Sequence, residues 1–169
     1  MIVLLNGPPG IGKSTLAEVL GESIEGCATL FGDGLTALNP AQADETGYFN
    51  ATVTMLVEHH RRHGYRHFVV EHFWPSAAAL DDLSARLRVA QPEGEVRCFL
   101  LTLPVEANLE RIRRRRAGRA IDDHLDEMAG FANEAATLAA AAPGELGEPF
   151  DASDPPDVLA RRIRQLIGL

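Results

Sequence analysis

Four apolar residues, Ile2 to Leu5, lead through Asn6 into Gly7-Pro-Pro-Gly-Ile-Gly12-Lys13-Ser14. A short run with no polar alternation is what a strand buried on both faces requires. The glycines after it let backbone N–H groups converge on one point with no side chain in the way. Pro8 and Pro9 stiffen the entry to the loop by fixing φ. The spacing predicts a helix from Lys13 to about Glu22, with Leu16, Ala17 and Leu20 on one side. That helix would aim the positive end of its dipole at the same point. The stretch fits G-x-x-x-x-G-K-[ST], a cradle for phosphates. Lys13 would reach β- and γ-phosphates, the Ser14 hydroxyl would ligate Mg²⁺, and Thr15 would bond the α-phosphate. A chance glycine turn also satisfies four fixed positions. The buried strand before it and the helix after it favour the cradle, with Gly7, Pro8, Pro9, Gly10, Ile11, Gly12, Lys13, Ser14 and Thr15 around the phosphates.

Strand-like and helix-like segments alternate through the remaining chain. Strands are expected at Ala28 to Phe31, His67 to Val70 (closing on Glu71), Val96 to Thr102 and, weakly, Glu148 to Asp151. Helices are expected from Tyr48 to Arg62, Pro75 to about Val89, Val105 to Arg116 and Asp122 to Ala141. A last helix begins at Pro155-Pro156, capped by Ser153 or Asp154, with Leu159, Ile163, Leu166 and Ile167 inward. Gly32 to Gly47 is rich in turn formers and reads as loop or short helix. This order implies an α/β fold with a parallel sheet and helices on both faces. At 169 residues, with no repeat or linker, one domain is expected. Ligands of such sheets bind at the carboxyl ends of the strands.

A formal net charge of -8 argues against a nucleic-acid partner. No apolar run approaches the roughly 18 residues of a membrane span, and the amino-terminal residues lack a secretory pattern, so a cytoplasmic protein is expected. Cys27 and Cys98 lie outside any CxxC pattern and read as reduced, buried thiols. His59, His60, His63 and His67 have arginines for neighbours and no acid or cysteine at ligand spacing, so they read as a polar helix end.

With its glycine loop the chain resembles the P-loop kinases of the P-loop NTPases. The likeness is to small kinases such as gluconate kinase and chloramphenicol phosphotransferase, and to AAA-type ATP-binding relatives. Positional features support it: "FGDG" after the second strand, "FVVEHF" at the third, "LERIRRRRAGR" after the fourth and "FDASDPPDVLARRI" at the end. The resemblance implies a three-layer α/β/α fold with a five-stranded sheet ordered 2-3-1-4-5. It also implies a helical, arginine-bearing lid, here about residues 113–123 with Gly118 as a hinge-like break.

The resemblance implies roles for residues after the strands. Asp33 would approach the acceptor hydroxyl and orient or deprotonate it; Gly32-Asp33-Gly34 is equally good turn chemistry. Glu71 stands where a carboxylate holds Mg²⁺, although relatives more often carry Asp there, so it would serve the metal, the acceptor, or only Lys or Arg neighbours. His72, Phe73 and Trp74 would line the acceptor pocket, Trp74 by stacking or apolar contact, or else pack in the core around the next helix. Arg115 and Arg119 would close over the phosphates, Arg115 neutralising charge in the transition state, while Arg111 reads as structural. Ser153 would lie beside the adenine ring. The function expected is an ATP- and Mg²⁺-dependent kinase acting on a hydroxyl of a metabolite, sugar or antibiotic. A nucleoside or nucleotide kinase and a nucleotide-binding switch with little turnover are the alternatives. Monomer and homodimer are both compatible.

Overall fold

The computed structural model describes the backbone of residues 1–115 and 121–169, and the side chains of 1–114 and 128–169. Five parallel strands form one sheet. β1 (Ile2–Asn6) is central, between β3 (His67–Glu71) and β4 (Val96–Thr102). β2 (Cys27–Phe31) lies outside β3, and β5 (Glu148–Asp151) outside β4, giving the order 2-3-1-4-5 that the resemblance implied. The helices are α1 (Lys13–Glu22), α2 (Gly32–Thr36), α3 (Glu45–Arg62), α4 (Ala77–Ala90), α5 (Val105–Arg115), α6 (Ile121–Ala140) and α7 (Pro156–Leu166).

Alternate residues of β1 serve two cores. Val3 and Leu5 pack with Leu16 and Leu20 of α1 and with Leu159 and Ile163 of α7. Ile2 and Leu4 face the other way, onto Phe49, Val53 and Val57 of α3 and onto Leu83 and Leu87 of α4. Burying such a side chain is worth about 1.5–3 kcal/mol. Helix propensities differ by only about 0.7 kcal/mol per residue. Packing onto the sheet therefore governs where the helices stand, and it explains the unbroken apolar run of β1.

Register aligns the strands' carboxyl ends. Leu5 of β1 and Phe31 of β2 both lie opposite Glu71 of β3. One step later, Asn6 ties the edge together while fully buried. Its Nδ2 donates to the carbonyls of Trp74 (3.2 Å) and Leu146 (3.0 Å), and its Oδ1 accepts from the N–H groups of Gly7 (2.9 Å) and Trp74 (3.0 Å). A buried amide with both ends satisfied fixes where β1 stops and the loop begins.

Several boundaries differ from expectation. α3 starts before Tyr48, because the Asp44 side chain accepts from Gly47 N–H at 2.9 Å and caps it. Pro75 lies outside α4; Ser76 is the cap, its hydroxyl accepting from Ala79 N–H at 3.3 Å. Neither Ser153 nor Asp154 caps α7. Pro155 holds that position, Asp154 pairs instead with Arg162 at 3.0 Å, and Pro156 has no N–H needing a cap. Leu166 points outward, at 47% exposure, whereas Leu159, Ile163 and Ile167 are buried. Cys27 and Cys98 are free but half-buried, and burial pushes their thiols up to about 11 and about 12. Among the described residues no helix is long and apolar enough to cross a membrane.

Candidate active site

The loop from Gly7 to Gly12 joins β1 to α1. Its turns need backbone that only glycine adopts freely: φ is +76° at Gly10 and +104° at Gly12. Gly10 also sits against Ile112 of α5, with no room for a Cβ. Gly12 is the N-cap of α1, which has no side-chain cap and no acid in its first turn. The first N–H groups of α1 therefore have no carboxylate competing for them, a fit to an anionic ligand. Two α5 side chains hold the loop from behind. Asn108 Nδ2 donates to the Pro9 carbonyl (3.1 Å), and Arg111 donates to the carbonyls of Ile11 and Ala152 (both 2.9 Å). Lys13 Nζ reaches back over the loop to the carbonyls of Gly7 (2.7 Å) and Pro8 (3.2 Å).

A cavity of about 580 Å³ opens on one side of the loop. Lys13, Ser14, Asp33 and Glu71 all line it, together with His72 and Glu134. Asp33 stands in the first turn of α2, exposed, just beyond β2. Glu71 closes β3 at 3% exposure, its Oε1 accepting from Gly32 N–H at 3.1 Å. Burial raises its carboxyl above the ordinary value; the Lys13 charge, the Gly32 N–H and a Ser14 hydrogen bond oppose that shift, and Asp33 adds to it. Glu71 thus lies among the loop lysine, the loop hydroxyl and the second acid. A second cleft of about 370 Å³ lies on the loop's other side, lined by Gly12, Thr15, Arg111, Ala152 and Ser153. Thr15 and Ser153 therefore share a cleft distinct from that of Lys13 and Asp33.

Trp74 does not line the cavity. It is 0% exposed in the α3–α4 core, and its indole N–H donates to Asn50 Oδ1 at 3.3 Å. Its backbone is held at the sheet edge by Asn6, which turns the ring inward; His72, Phe73 and Pro75 line the cavity instead. The Arg115 side chain and Arg119 lie outside the described residues, as does much of the expected lid.

His72 and Phe73 line the cavity, on the stretch after the third strand that was expected to face the acceptor. His72 stacks on Phe49 with ring centroids 3.8 Å apart. Burial lowers its imidazole to about 4, with the Lys13 charge acting in the same direction and Asp33 against it. The unfolded chain therefore binds more protons than the folded one between about pH 4 and 6.5, and stability rises with pH across that window. In urea unfolding, wild type is expected to lose roughly 2 kcal/mol more than His72→Gln between pH 7 and pH 4.5. Equal losses would contradict a buried, neutral imidazole. Glu134, on α6, also lines the cavity and escaped the sequence reading. A charge at 134 shares a helix face with Phe131 and Leu138, an i, i+3, i+7 pattern that marks an acid on the packed side.

No family model matches the chain, and no curated protein matches its sequence. Solved structures do match it. A sugar kinase from Janibacter sp. HTCC2649 superposes with a TM-score of 0.73 at 19% identity, covering 99% of this chain and 94% of that one. A gluconokinase from Sinorhizobium meliloti 1021 gives 0.63 at 16% identity, over 98% and 94%. The chain has the P-loop kinase fold. Chaetomium thermophilum Kti12 in complex with ADP-AlF3 shares this P-loop architecture, with a TM-score of 0.66 at 16% identity over 99% and 97%.

Proposed function

We propose that the protein is an ATP- and Mg²⁺-dependent phosphotransferase acting on a hydroxyl group of a small molecule. The observation that carries this reading is the single cavity in which the P-loop lysine, Lys13, faces two acids from the ends of neighbouring strands, Asp33 and Glu71. The fold shared with a sugar kinase and a gluconokinase supports it. The residues fit the nucleotide. The backbone N–H groups of residues 10–15 and the Lys13 ammonium hold the phosphates, and the cleft beside Ser153 takes the adenine. Ser14 and Glu71 hold Mg²⁺, which supplies charge neutralisation on the β- and γ-phosphates when bound. Arg115 and Arg119, from the lid, add positive charge at the transferring group.

Asp33 faces the acceptor. Its carboxylate accepts a hydrogen bond from the acceptor hydroxyl and aims the oxygen at the γ-phosphorus. As the new O–P bond forms, the bond from the γ-phosphorus to the β–γ bridging oxygen breaks. ADP leaves, and the hydroxyl proton passes to Asp33 and then to solvent. Phosphoryl transfer has a loose transition state, so alignment and charge neutralisation carry most of the catalysis. The protein works as a single nucleotide-binding unit in the cytoplasm.

A second reading is a nucleotide-dependent switch, favoured by the likeness to Kti12 and by Glu71 in place of the commoner Asp. Measuring ADP release with and without hydroxylated acceptors separates the two. Release that depends on an acceptor, with a phosphate ester formed in equal amount, is the outcome of the kinase reading. Tight ATP binding with no turnover under any acceptor would leave the switch.

A further inference from the structure

Asp33 is exposed, and the helix that carries it, α2, is five residues long with Gly32 its only buried residue. So short an element is held in place from outside. Its N-cap, Phe31, contributes no side-chain hydrogen bond, so the first N–H groups of α2 need partners from elsewhere. β3 supplies one. Glu71 Oε1 accepts from Gly32 N–H at 3.1 Å, at the end of the β2–β3 pair in which Phe31 lies opposite Glu71. Gly32 also presses onto the same strand end. A Cβ there would stand 2.7 Å from both the Glu71 carbonyl oxygen and His72 Nδ1.

The end of β3 is tied in turn to the strand that feeds the P-loop. His72 N–H donates to the Leu5 carbonyl at 3.2 Å, one residue before Asn6. Two hydrogen bonds therefore link the phosphate loop to the backbone that carries Asp33: His72 to Leu5, then Gly32 to Glu71. At 3% exposure, little water competes for the Glu71 oxygen. Leu35 packs, partly buried, on the α3–α4 core and secures the far end of α2; the Glu71 bond acts at the turn that bears Asp33. Side-chain length matters here. Shortening the acid by one methylene, about 1.5 Å, takes a 3.1 Å contact beyond hydrogen-bond range. Glutamate reaches from β3 to the end of β2, and aspartate in its place would fall short.

We propose that Glu71 is the positioning residue for Asp33, holding the first turn of α2 so that the Asp33 carboxylate meets the acceptor hydroxyl in line with the phosphate loop. That role rests on the phosphotransfer reading, in which Asp33 orients the acceptor. It uses one Glu71 oxygen and leaves the other for Ser14 and the metal. Displacing a reacting group by about 1 Å costs about 10²-fold in rate, so the bond bears on transfer without touching the acceptor.

Glu71→Asp and Glu71→Gln separate this role from metal binding. Aspartate keeps the charge and loses the reach; glutamine keeps the reach and an accepting oxygen and loses the charge. The first readout is amide hydrogen exchange at Gly32, by NMR on the full chain without nucleotide. Exchange is expected to be at least about 10-fold faster in Glu71→Asp than in wild type, and within about threefold of wild type in Glu71→Gln. The second is kinetic, with ATP, Mg²⁺ and a hexose, a hexonate, a cyclitol and a nucleoside as acceptors. In Glu71→Asp, kcat/KM for the acceptor should fall at least about 10-fold, with half-saturating Mg²⁺ within about threefold of wild type. In Glu71→Gln, half-saturating Mg²⁺ should rise about 10-fold, and once Mg²⁺ saturates, kcat/KM for the acceptor should stay within about threefold. Melting temperatures confirm that both variants fold. Equal Gly32 exchange in Glu71→Asp and wild type overturns the proposal, as does the reverse kinetic pattern, with transfer kept by aspartate and lost in glutamine at saturating Mg²⁺. Failure of the phosphotransfer reading would look different. Wild type would phosphorylate none of the four acceptors, while Gly32 would still exchange faster in Glu71→Asp than in Glu71→Gln.

Discussion

Replacing Lys13 with alanine is expected to lower acceptor-dependent ADP release by about 10²- to 10³-fold, the scale of removing one charged group that stabilises a transition state. The expected loss is this large because Lys13 acts at two places. Its ammonium reaches over the P-loop, where the β- and γ-phosphates would lie, and its charge also favours ionised Glu71. Without Lys13, the buried Glu71 carboxyl rises further and becomes a poorer Mg²⁺ ligand at neutral pH. The acid limb of the pH–rate profile should therefore move upward in a variant with measurable residual activity. Lys13 Nζ also bonds the carbonyls of Gly7 and Pro8, so a thermal melt must accompany the kinetics. A folded Lys13→Ala protein within about threefold of wild type would contradict the phosphate-loop assignment.

The second large effect is expected at Asp33. Asp33→Asn keeps the size of the side chain and removes its charge and basicity. ATP affinity should hold, because in the proposed reading the loop amides and Lys13 carry the phosphates and Asp33 serves the acceptor. Transfer to the acceptor should fall by roughly 10²-fold or more, the range of a positioned acid–base group. ATP affinity by calorimetry and ester formation by labelled phosphate separate the two. Unchanged transfer would remove Asp33 from the mechanism. Loss of ATP binding would move it from the acceptor to the nucleotide.

The glycine loop between β1 and α1 was legible because its physics is local. Gly10 and Gly12 need positive φ, the unbroken apolar run of β1 needs a buried strand, and both requirements are met within a dozen consecutive residues. The acids at strand ends, Asp33 and Glu71, were legible from order alone, since parallel strands bring their carboxyl ends to one edge. The strand order was not contained in the alternation of segments; it came with the resemblance. Trp74 was placed wrongly because an aromatic residue after a strand can turn either way, and the Asn6 clamp that decides its direction joins positions 68 residues apart in the chain. Glu134 was overlooked for a related reason. It sits in an alanine-rich helix with no motif, and its meaning depends on a cavity assembled from α2, β3 and the P-loop. The α7 start shows local rules competing: Ser153 and Asp154 are both good caps by type, but Arg162 draws Asp154 away, and Pro155 takes the cap position with Pro156 as the first helical residue.

A crystal structure with Mg²⁺ and a non-hydrolysable ATP analogue tests the central claim most directly. The account predicts the β- and γ-phosphates enclosed by the amides of residues 10–15 with Lys13 Nζ on their oxygens, the base beside Ser153, and the γ-phosphate facing Asp33 across open cavity. A nucleotide bound elsewhere, or a γ-phosphate turned away from Asp33, would contradict it.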